Sequence, residues 1–148
     1  MIRQLMHAAL LLAVVSCKPG ARAQDQAAAG QEQNRPVTLR LDRAEYGQGE
    51  QPRLTLINTG GWTYAYNPCT RVIEVNTDGA WTAAETGPRI CTMEAWMLRP
   101  GDSVTAPIEM PATLPAGQFR LRLAMTTEGV PPGEGHLLLV SPPFTVRR

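Results

Sequence analysis

Three groups of side chains in this sequence could do chemistry. The first is Cys69 and Cys91, which bracket a strand-turn-strand pattern inside the stretch Asn67–Gly101. Two thiols can form a staple, a redox couple or part of a metal site. Their spacing is not C-x-x-C and no histidine stands near either in sequence, so a disulfide is the expected state. The second group is aromatic: Trp62, Tyr64, Tyr66, Trp81 and Trp96. Trp62, Tyr64 and Tyr66 alternate along one strand and would share a face, as a sugar- or peptide-binding platform requires. The competing expectation is that these rings fill the core and its rim. The third group is Met93, Met97, Met110 and Met125 with His136. Thioethers suit Cu(I), but methionine also fills core gaps, and three of these residues sit in alternating patterns. No metal or other cofactor is therefore expected.

Catalytic machinery is hard to assemble from the remaining residues. The sequence has no H-E-x-x-H, G-x-S-x-G, P-loop or calcium-loop motif. Acidic residues are scattered singly, and His136 is the only histidine beyond the first seventeen residues. No catalytic residue is assigned and no enzyme is expected. A formal charge of +1 on 148 residues gives no reason to expect a nucleic acid partner.

The positioning elements divide the chain in three. Residues 1–17 have the form of an export signal, with Arg3 in the n-region and Leu10–Val15 at the centre of a short apolar run. That run is too short to span a bilayer. Val14-Val15-Ser16-Cys17 resembles the bacterial lipobox, which implies lipidation of Cys17 and a lipid-anchored protein of the cell envelope, at the outer membrane or facing the periplasm. The alternative is cleavage after Ala21-Arg22-Ala23, leaving a soluble periplasmic or secreted form. Under either processing, Cys69 and Cys91 remain as a pair in an oxidising compartment. Residues 18–35 lack apolar periodicity and are expected to be a flexible tether.

From residue 36 to 148 the pattern is that of strands. Val37, Leu39 and Leu41 alternate with Thr38 and Arg40, and Asp42–Glu50 is expected to be a loop. Strands are expected at 54–58, 62–66, 71–76 and 81–83. Asn58-Thr59-Gly60-Gly61 is expected to turn through positive φ, and Asp78-Gly79 to close a tight hairpin. Met93–Leu98 is apolar on both parities, so it is expected either to be buried on both faces or to contain a bulge. Arg99-Pro100-Gly101-Asp102 is a Pro-Gly turn. Pro107 marks an edge or sheet-switching strand, and Phe119–Met125 alternates most cleanly of all. With 13 glycines and 13 prolines and no convincing helix, the expected fold is all-β. It is an immunoglobulin-like β-sandwich of about seven to nine short antiparallel strands.

A resemblance supports that class. Tyr46-Gly47-Gln48-Gly49-Glu50 with Leu54–Gly60, Asp78-Gly79-Ala80-Trp81, Leu98–Ser103 and Pro115–Leu121 resemble, in order, bacterial immunoglobulin-like domains. More distantly the pattern is similar to the Bacillus intracellular proteinase inhibitor family, from which the export signal and the cysteine pair depart. The first resemblance implies a fold and little about function. The second implies a loop presented to a protease, for which Glu128–Gly135 is the candidate. The expected function is that of a non-catalytic interaction or structural module, binding an envelope protein or a cell-wall polymer, with a carbohydrate- or ligand-binding domain as a further alternative. The expected binding surface comprises Trp62, Tyr64, Tyr66, Met93, Trp96 and Met97.

Overall fold

The computed structural model describes residues 36–131 and 133–148. The expected export signal, Cys17 and the expected tether lie outside the described residues. Among the described residues eleven strands form two sheets: β1 (Val37–Leu41), β2 (Glu45–Gly47), β3 (Arg53–Asn58), β4 (Tyr64–Tyr66), β5 (Val72–Thr77), β6 (Ala80–Ala83), β7 (Trp96–Leu98), β8 (Ser103–Pro107), β9 (Gly117–Thr127), β10 (His136–Val140) and β11 (Phe144–Arg147). The smaller sheet has the order β1-β3-β8 and is antiparallel throughout. The larger is built on the 11-residue β9. One flank of β9 takes β10 and β11, and the other takes β4 and β5, each of which carries a further partner, β7 and β6 respectively. The arrangement is an immunoglobulin-like sandwich.

The strand count exceeds expectation by including β2, and two lines of strand are each broken in the middle. Pro68 opens a single 3-10 turn, Pro68–Thr70, that separates β4 from β5. Pro142-Pro143 separates β10 from β11, since neither proline can donate to the ladder. At that second break Ser141 keeps β9 satisfied: its backbone N–H donates to the Leu121 carbonyl, and its buried hydroxyl accepts the Leu121 N–H at 2.8 Å. The segment Asp42–Glu50 is not wholly a loop. Glu45–Gly47 pairs in parallel with β11, and Tyr46 is buried edge-on to Phe144 with ring centroids 5.6 Å apart. Three residues with one apolar side chain are too short for alternation to register.

Packing follows the parity seen in sequence. Val37, Leu39, Leu54 and Leu56 of the smaller sheet face Phe119, Leu121, Leu123 and Met125 of β9, with Ile73, Leu139, Phe144 and Val146 around them. Each such side chain contributes about 1.5–3 kcal/mol on burial. Asp78 and Gly79 close the β5–β6 hairpin at φ 52° and 88°, as an Asp-Gly turn requires. The turn after Asn58 works differently from expectation, because neither Gly60 nor Gly61 adopts positive φ. Instead the buried Asn58 side chain accepts the Gly60 N–H at 3.0 Å and donates to the carbonyls of Trp62 and Leu98, pinning the turn to β7. A Cβ on Gly60 would meet Pro36 at 2.6 Å, so close approach rather than φ demands glycine there.

Candidate functional site: the stapled segment and the cavity beneath it

Cys69 and Cys91 are joined, closing a loop of sequence separation 22 with their Cα atoms 5.6 Å apart. The bond ties the Pro68–Thr70 turn to the long connection between β6 and β7, residues 84–95. Asn67 organises the same junction. Its side-chain oxygen accepts the Cys69 N–H at 2.9 Å and its amide donates to the Thr92 carbonyl at 2.7 Å. The connection is further held by Ala84 N–H to the Ile73 carbonyl, 2.8 Å, and by the Arg89 guanidinium to the Arg71 carbonyl, 2.7 Å.

The expected binding residues separate into two sets. Tyr64 and Tyr66 point into the core, so they cannot form a row of accessible rings with Trp62. Trp62 lies ahead of β4 rather than in it and is 60% exposed. Met93–Leu98 is neither buried on both faces nor bulged: Met93 is fully exposed, Trp96 is 42% and Met97 38% exposed, and only Leu98 is buried. Among the described residues β7 is an edge strand, and no neighbour beyond it covers these side chains. Trp96 packs edge-on to Tyr66 at 6.3 Å, while Met97 pairs with Ala65 on the opposite face of the sheet. Trp81 lies on the outer face, beneath the Arg120 guanidinium at 4.4 Å. The methionines of the copper reading are dispersed: Met125 is in the core, Met110 is buried at its margin, Met97 is on the edge strand and Met93 is in the connection. Among the described residues no group of three or more histidine, cysteine or carboxylate side chains could hold a metal.

A cavity of about 340 Å³ lies beside the staple, lined by Gln51, Arg71, Ile73, Thr86, Arg89, Glu109, Met110 and Pro111. Arg71 is the buried charged residue of its lining. It immediately precedes β5 and has the parity of Ile73, so its side chain occupies a core-facing position and is only 8% exposed. One terminal nitrogen donates to the Pro68 carbonyl at 3.0 Å and the other to the Glu109 carbonyl at 2.5 Å. Among the described residues the buried Nε–H has no partner. Among the described residues no carboxylate lies within ion-pair distance of Arg71 or Arg89. Burial pushes the Arg71 guanidinium down to about 10, and the nearby Arg89 charge adds to that shift, partly offset by Glu109. Sequence reasoning missed this site. The available signal was an arginine on the apolar parity of a strand; Arg89 lies in an irregular Thr86-Gly87-Pro88 context and carried none.

No protein-family model matches the chain, and no curated protein does. Among solved structures, the chain is similar to the ASH / PapD-like domain of human CEP192 (PapD-like domain 7). The identity is 14% over 97% of this chain and 94% of that one, with a TM-score of 0.36.

Proposed function

We propose that the chain is a non-catalytic interaction module of the cell envelope, exported and anchored through lipid on Cys17, whose partner docks on the β7 edge. The observation that carries this reading is the exposure of Met93, Trp96 and Met97, apolar side chains on and beside a strand edge that is unpaired among the described residues. An open edge offers backbone donors and acceptors to an extended segment, and flanking apolar side chains supply the contact area. The staple holds the connection that feeds this edge, which lowers the ordering cost of binding. The partner is an envelope protein or a cell-wall polymer presenting an extended stretch.

Site-specific photo-crosslinking in intact cells tests the reading. A probe at Met97 is expected to give a discrete adduct, while one at Thr105, on the outer face of the smaller sheet, gives none. Adducts at both positions, or at neither, would sink it. Mass spectrometry of the mature protein tests the anchor separately: a lipid-free N-terminus at Gln24 removes it and leaves the docking edge standing.

A further inference from the structure

The cavity beside the staple holds two arginines and one glutamate, and among the described residues neither arginine has a carboxylate within ion-pair distance. An ionised guanidinium removed from water requires either a carboxylate partner or a full set of acceptors. Among the described residues Arg71 has neither, for its two hydrogen bonds are to neutral carbonyls and its Nε–H is unsatisfied. Arg89, exposed at the cavity's mouth, spends one N–H on the Arg71 carbonyl and brings a second positive charge to the same space. Thr86 and Gln51 add neutral polar groups to the lining. Ile73, Met110 and Pro111 make the rest of the wall apolar.

The geometry points to a binding site for a small organic carboxylate with an apolar stem, its carboxylate held between Arg71 and Arg89 and its stem against Ile73, Met110 and Pro111. Two arginines supply the planar donors that a carboxylate accepts. The volume is ample: a cavity of about 150 Å³ admits benzene, and this one is about 340 Å³. A multiply charged phosphate fits less well, since Glu109 lines the same cavity and leaves it a net charge of +1 from two arginines and one glutamate. This site is separate from the β7 edge, so each can fail without the other.

The test uses the disulfide-bonded protein with benzoate, acetate and inorganic phosphate as probes. Benzoate is expected to shift the Arg71 Nε–Hε resonance and to raise the melting temperature, with acetate binding at least tenfold more weakly. Arg89→Gln, at an exposed position that leaves the core intact, is expected to weaken benzoate binding at least tenfold. Met110→Lys is expected to abolish the preference for benzoate over acetate. The inference is overturned if benzoate leaves the Arg71 resonance and the melting temperature unmoved, or if Arg89→Gln binds like the wild type. Phosphate binding as tightly as benzoate also overturns it, since that marks a site for any anion.

Discussion

Arg71 and Glu74 stand three residues apart at the start of β5, both charged and both buried, and their surroundings are opposite. Glu74 is on the outer face of the larger sheet, where Arg120 reaches it at 2.7 Å and Arg122 at 3.2 Å. The register places Arg120 directly across from Glu74, and the two arginine side chains, 27% and 40% exposed, cover it. Arg120 also lies over the Trp81 ring, so one guanidinium pairs a charge and caps an aromatic face. Arg71, on the core-facing parity, donates only to neutral carbonyls and lies near the Arg89 cation, with the Glu109 carboxylate in the same cavity but beyond ion-pair distance. A buried charge that its own fold neutralises is structural. One left without an ion-pair contact carries a desolvation cost that a ligand can relieve, and that difference separates a scaffold residue from a site residue.

The largest expected effect breaks the frame that holds Arg89 near Arg71. Cys69→Ser with Cys91→Ser removes a staple worth about 3 kcal/mol in the chain-entropy model. Denaturant unfolding should show that loss, and benzoate binding should weaken as the connection over 84–95 loosens.

Next comes Glu74→Ala, which leaves two arginines facing each other without their carboxylate. Breaking a buried pair costs 3–5 kcal/mol, and partial exposure of both arginines reduces that here to about 2 kcal/mol. A change under about 0.5 kcal/mol in chemical denaturation would show that solvent already screens the cluster.

An exposed corner supplies a calibration for a satisfied charge. Asp42 accepts hydrogen bonds from the Arg53 N–H and the Tyr46 hydroxyl, each 2.8 Å. Burial raises its pKa, but those hydrogen bonds and the Arg43 charge outweigh that and hold it below 3.8. Because the folded value is the lower one, its contribution is complete above pH 3.8 and is lost as pH falls through the folded pKa. Asp42→Asn should cost about 1 kcal/mol at neutral pH, and the gap from wild type should close in melting scans below that point.

The smallest change is expected from Arg71→Met. Replacing an unpaired buried cation with an apolar side chain of similar length offsets the two lost hydrogen bonds, leaving stability within about 1 kcal/mol of wild type. Similar losses from Arg71→Met and Glu74→Ala would erase the distinction drawn between the two residues.

The frame of the sandwich was legible because parity is a local property. Val37-Leu39-Leu41 and Phe119-Leu121-Leu123-Met125 announce their buried faces through period-two alternation, and Asp78-Gly79 announces its hairpin through positive φ. Tyr46 was not legible as core, since a three-residue strand has no period to detect. Met93–Leu98 was misjudged for the complementary reason. Apolar composition signals burial only if a neighbour covers the strand, and among the described residues β7 has none on its outer side.

Residue types and their spacing determined the all-β class, the turn positions and two cysteines able to pair, because those depend on φ preferences, alternation and thiol chemistry close along the chain. Which charges would be paired was decided by the tertiary structure alone. Glu74 meets Arg120 across 46 residues, while Arg71 is brought beside Arg89 by a staple and a sheet register that no short window contains. Charge pairing is a sum over neighbours in space, and only the folded chain supplies them.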